Sequence, residues 1–206
     1  AKLLCARSPH ITMGNLYCVE NVLGGGIWDY FDLGENIVCV NAIGENIQQR
    51  LNGCDYDSDT MLLTDDALLV NAAERYNGFF KVPVCNIKAE GKTEQTLSEL
   101  DHDTSVNKIG EIVNLSQKLN SILWDELYNG ADEREILSVY EDICKLAVLS
   151  GLEIDKAKRS VENVHVGKEL SALRKKYKRP APQFFAEIDE SRGKQYAFYH
   201  TAMDYL

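Results

Sequence analysis

Three aspartates alternate within the run Leu51-Asn52-Gly53-Cys54-Asp55-Tyr56-Asp57-Ser58-Asp59-Thr60, between stretches that read as β-strand. This spacing restricts the backbone that can carry it. On a regular strand, side chains two apart share a face but stand about 7 Å from one another, too far to meet at one point. If Asp55, Asp57 and Asp59 act together they lie on a tight loop, and Gly53 and Ser58 allow the bend. Carboxylates gathered so closely raise one another's pKa values or take a counter-charge. Their hard oxygen donors suit Mg2+, with Mn2+ as the alternative. Counting Asp66, the spacing also matches the acidic positions of an EF-hand loop. There, however, Thr60 stands at the position of the turn glycine, and apolar strand follows in place of a helix. A solvated acidic turn without metal is the remaining reading.

With 206 residues, 45% of them hydrophobic, the chain can bury a core and form one or two domains. A net charge of −10 argues against a general nucleic-acid coat, yet an acidic shell can still enclose a metal-dependent nucleic-acid site. The six cysteines, Cys5, Cys18, Cys39, Cys54, Cys85 and Cys144, are scattered and form no C-x-x-C pair, which favours reduced thiols. No apolar stretch approaches the length of a membrane span and no signal peptide opens the chain, so no membrane partner and a cytoplasmic location are expected. The start at Ala1, running straight into apparent structure, reads as a piece of something longer.

Residues 1–85 read mainly as β, with short apolar runs at Leu16-Tyr17-Cys18-Val19, Asn36-Ile37-Val38-Cys39-Val40 and Met61-Leu62-Leu63. Turn signals such as Gly24-Gly25-Gly26 separate them, and runs this short suit a small barrel. Gln48 to Leu51 continues the apolar pattern into the acidic loop, and Asp65-Asp66 caps a helix through Ala67 to Tyr76. Residues 86–104 are polar and read as a linker. From Val106 the period changes. Ile109, Ile112, Val113, Leu115, Leu119, Ile122, Leu123 and Leu127 fall largely on one helical face. Asn129-Gly130 ends that helix, and Asp132 with Glu135 opens the next. The second helix buries Ile136, Val139, Tyr140, Ile143, Ala147 and Val148 and closes at Ser150-Gly151, and a short connection makes the pair antiparallel. The helical region, 105–206, then carries the run Arg174-Lys175-Lys176-Tyr177-Lys178-Arg179. Its poor periodicity predicts an extended basic tail over a partner or domain surface.

These pieces, in order, resemble the catalytic barrel of the two-barrel RNA polymerase superfamily, which includes the single-chain RNA-dependent RNA polymerases of eukaryotic silencing and their bacterial and phage relatives. Arg7-Ser8-Pro9-His10 resembles the Arg-x-Pro segment that opens the barrel, and Ile37–Val40 with Gln49–Leu51 resembles strands leading to the metal loop. The run from Gly53 to Asp59 resembles the signature Asp-aromatic-Asp-Gly-Asp, with Ser58 where the family has glycine. Downstream, Ile109-Gly110-Glu111-Ile112-Val113-Asn114 resembles the helix start after the barrel. Ile154-Asp155-Lys156-Ala157-Lys158 resembles a helix ending in Asp-x-x-Lys, and Pro182-Gln183-Phe184-Phe185 the Pro-x-Phe beyond it.

The resemblance implies an α+β fold: a double-psi-type β-barrel followed by an antiparallel helical hairpin. It implies Mg2+ on Asp55, Asp57 and Asp59, template-directed nucleotidyl transfer, and Arg7 near the nucleotide. Lys156 and Lys158 would face phosphate. Nucleoside triphosphates and an RNA or DNA template are the implied partners. A second, basic barrel is also implied, and none is visible in the sequence, so the chain alone is expected not to polymerise. Two other readings stay open: a non-catalytic interaction module that keeps the barrel, and a metal-dependent nuclease using the same aspartates.

Overall fold

The computed structural model describes residues 1–22, 26–87, 96–157 and 164–180, with Pro182 and Phe185. Lys158, Gly24 and Gly25, Gln183 and Phe184 lie outside the described residues, as does the chain after Phe185. The fold is α+β. A three-stranded antiparallel sheet runs in the order β2-β1-β3, with β1 at Lys2–Arg7, β2 at Tyr17–Glu20 and β3 at Met61–Thr64. In register, Cys5 faces Tyr17 on one side of β1 and Arg7 faces Met61 on the other. As the central strand, β1 is covered on both faces. Cys5 packs on Ile47, Leu51 and Cys54, while Leu4, one residue earlier, points the opposite way toward Leu69 and Ala72.

Short helices join the strands. α1 covers Ile27–Tyr30 and α2 covers Ile47–Arg50, with Asn46 capping α2 by accepting from Gln49 N–H at 3.1 Å. α3, Ala67–Arg75, starts where Asp66 accepts from the amides of Leu68 and Leu69, as the sequence predicts.

The helical half also follows its period. α5, Ile109–Tyr128, and α6, Glu133–Ile154, pack along a seam that buries Ile112, Leu119 and Leu123 against Ile143, Leu146 and Ala147. Between them Gly130 takes φ 77°, Ala131 N–H bonds Glu126 O and Gly130 N–H bonds Leu127 O, a Schellman stop. Asp132 then caps α6 through the Glu135 amide.

Five local expectations are corrected. Asn36–Val40 forms no strand, because Ile37 and Val38 find no partner strand among the described residues and stay exposed. Gln49–Leu51 is not strand but the end of α2 and its cap, where Ile47 and Leu51, four apart, bury one helical face. The 86–104 linker contains most of α4, Leu97–Ser105, which a capping box between Thr96 and Glu99 nucleates. α6 runs past Ser150-Gly151 to Ile154, since Leu149 and Glu153 remain buried on its inner face. The basic run is not an extended tail from its start: Arg174–Lys176 close α7, Val166–Lys176, whose Leu170 and Leu173 enter the main core. Three strands form an open sheet, and closure into a barrel is not seen among the described residues. Among those residues no helix is long and apolar enough to cross a membrane.

Candidate metal centre

The acidic loop is positioned from below by a chain of side-chain contacts that starts in the helical hairpin. Tyr140 on α6 donates to Lys81 O at 2.6 Å and accepts from Gly14 N–H at 3.1 Å. Asn120 on α5 donates to Ile11 O at 2.9 Å. The segment so anchored continues into buried Asn15, whose Nδ2 donates to Arg50 O at 3.1 Å and so fixes the end of α2. There the backbone reverses. Asn52 at φ 57° and Gly53 at φ 71° both lie in the left-handed region, and the amides of Gly53 and Cys54 bond back to Gln48 O. Asn and Gly tolerate that conformation best. Cys54 is buried under the turn and donates to Ile47 O, its burial raising the thiol pKa. Asp55 to Thr60 then stand exposed before β3 begins at Met61.

On this loop one carboxylate oxygen from each of Asp55, Asp57 and Asp59 lies within 4.8 Å of the others. The tight-loop expectation therefore holds. Bonds of about 2.1 Å to Mg2+ place neighbouring ligand oxygens about 3 Å apart and opposite ones about 4 Å apart. Separations of at most 4.8 Å are within reach of those distances through side-chain rotation on an exposed loop. Hard oxygens, three of them and all carboxylate, fit Mg2+ or Mn2+.

The three carboxyls differ electrostatically. Asp55 is shifted upward, first by the hydrogen bond it shares with Asp57 and then by desolvation and the neighbouring charges. Asp59 is shifted downward, chiefly by its hydrogen bond from Arg7. Arg7 Nη2 reaches Asp59 Oδ1 at 2.8 Å, and Asp55 N–H reaches Asp59 Oδ2 at 2.8 Å. Asp57 Oδ1 accepts the Ser58 amide at 2.8 Å.

No family model, no curated protein and no solved structure matches the chain. Assignment of the site therefore stands on its chemistry and on the motif resemblance.

Of the predicted site residues, the structure brings Asp55, Asp57, Asp59 and Arg7 together. Strand register contributes to the arginine's place: Arg7, the last residue of β1, lies opposite Met61, the first of β3, only two residues after Asp59. Lys156 is engaged elsewhere, donating to Val106 O at 3.2 Å and facing Glu153 at 3.8 Å. The basic run is likewise engaged: Arg174 pairs with Glu111, Lys176 with Asp142, and Arg179 with Asp125 and Glu126. Asn52 was not singled out by sequence reasoning, although the Asn52-Gly53 dipeptide is a turn signal. Its Nδ2 holds Pro9 O at 3.0 Å, and its carbonyl accepts from Arg7 Nη1 at 3.2 Å.

Proposed function

We propose that the chain is the catalytic-barrel portion of a two-barrel RNA polymerase, with Asp55, Asp57 and Asp59 holding Mg2+ or Mn2+ for template-directed nucleotidyl transfer. The observation that carries this reading is the convergence of the three carboxylates on one exposed loop beside Arg7. Double-psi closure of the barrel belongs to the same proposal, with β1, β2 and β3 contributing part of it.

Asp55, Asp57 and Asp59 would hold the metal, whose chemistry there would be to lower the pKa of a ribose hydroxyl and to neutralise phosphate charge. The chain's own residues supply position. Asn52 and Gly53 turn the backbone, Cys54 pins the base of the loop in the core, and the Ser58 amide holds one oxygen of Asp57. Exposure of the whole loop leaves room for a template and a triphosphate to approach. The same proposal assigns further cations over the loop to a second, basic barrel, which is not seen among the described residues. Lys156 is left out of the proposed site because its ammonium is committed to Val106 and Glu153.

The test is binding of a non-hydrolysable ATP analogue to wild type and Asp57→Asn, with and without Mn2+, followed by primer extension and single-stranded RNA assays. Metal-dependent binding by wild type alone, without extension or cleavage, is the expected outcome. Binding indifferent to metal and to the substitution contradicts the proposal, and Mn2+-dependent RNA cleavage turns it toward a nuclease. One observation favours the interaction-module reading as a second possibility. Trp28, Tyr30, Phe31 and Ile43 are each exposed on the acidic-loop half of the chain, large apolar side chains suited to contact with another protein. An Asp57→Asn variant that binds Mn2+ as weakly as wild type selects that reading.

A further inference from the structure

Neither carboxylate oxygen of Asp59 is uncommitted. Arg7 holds Oδ1 and the Asp55 amide holds Oδ2, each at 2.8 Å. The ion pair is more sheltered than others in the molecule: the Arg7 and Asp59 side chains keep 17% and 26% of their surface, whereas Lys2 in its pair with Glu74 keeps 67%. One further hydrogen bond and the backbone around it aim the guanidinium. β1 ends at Arg7 in register with Met61, Nη1 donates to Asn52 O, and Asn52 is itself pinned to Pro9 O. Yet the fit is incomplete, because Arg7 Nε is buried with no acceptor among the described residues. The guanidinium fork is therefore directed at Asp59 at the expense of one donor.

We infer that Arg7 is the resident counter-cation of the aspartate triad, a positioning residue that a divalent metal must displace from Asp59 before it can take all three carboxylates. The inference rests on the metal reading above and adds how that site loads. A metal about 2.1 Å from Asp59 Oδ1 stands within roughly 5 Å of the guanidinium nitrogen that lies 2.8 Å from that same oxygen. Like charges that close oppose each other, more so on the sheltered side of the loop than in open water. The arginine consequently keeps the loop formed without metal and lowers its affinity for metal.

The test is calorimetric titration of Mn2+ at low ionic strength into wild type, Arg7→Gln, Arg7→Lys and Asp57→Asn. Arg7→Gln is expected to bind about fivefold to tenfold more tightly than wild type, with Arg7→Lys between them. The difference should narrow in 0.5 M salt, where the screening length falls to a few ångströms. Arg7→Gln binding equal to or weaker than wild type, while Asp57→Asn loses binding, overturns the inference and leaves the metal site standing. Asp57→Asn binding like wild type removes the metal site itself, and this inference with it. A readout on the unaltered chain covers a variant that fails to fold. In 15N spectra the Arg7 guanidinium signals, identified by their loss in Arg7→Lys or otherwise by proximity to the Asn52 and Asp59 amides, should shift as Mg2+ saturates; unchanged signals at saturation overturn the inference.

Discussion

Gly14 has no room for a side chain: a Cβ there would stand 2.3 Å from Lys81 O and 2.7 Å from the Tyr140 hydroxyl. Gly14→Ala should therefore displace the Tyr140 bridge and cost about 1–3 kcal/mol in chemical denaturation. Tyr140→Phe, which leaves the buried Gly14 amide without its acceptor, should cost a similar ~1–3 kcal/mol. A weaker contact predicts a pH dependence. The hydrogen bond from Arg174, then that from Lys108, holds Glu111 below the usual carboxylate range. A depressed folded-state pKa contributes stability that is present above the unfolded value, about 4.3, and is lost as pH falls through the folded one. Both Glu111 and Arg174 remain about half exposed, so Glu111→Gln should cost less than ~1 kcal/mol at pH 7. As pH falls below the unfolded value that difference should shrink, as urea denaturation at pH 7 and at successively lower pH would show.

Among the elements, α5 and α6 were legible because their signals are redundant. A 3.6-residue period, a glycine stop and an aspartate cap all point to the same hairpin. Gly130→Ala, at φ 77°, should cost about 1–2 kcal/mol, measured by thermal or urea unfolding. The short elements were less legible. Asn36–Val40 has the composition of a strand, but a strand exists only with a partner, and pairing is not written in a five-residue run. α2 is a single turn whose signals are Asn46 and the Ile47, Leu51 spacing, too brief to stand out from an alternating pattern. The acidic loop itself was legible, since three carboxylates at that spacing can meet only on a tight bend. Its link to Arg7 rests on strand register, which sequence alone leaves open.

At the scale of the molecule the two halves differ in how they are held. The helical half has a large continuous core that includes Ile112, Leu119, Leu123, Ile143 and Leu146, while Cys5, Ile47, Leu51 and Cys54 form a small cluster beneath the acidic loop. Ile143→Ala should thus cost about 2–5 kcal/mol. Hydrogen exchange should protect α5 and α6 most strongly, with residues 27–46 exchanging fastest among the described segments, because few of their amides bond and most of their side chains face solvent. A loop on the thinly packed side of a rigid hairpin suits a site completed by another protein region. Whether Asp55, Asp57 and Asp59 form one divalent-metal site is read directly from Mn2+ binding to metal-stripped wild type and to Asp57→Asn. Wild type is expected to show one site and the variant at least tenfold weaker binding; equal weak binding by both would contradict a shared metal site.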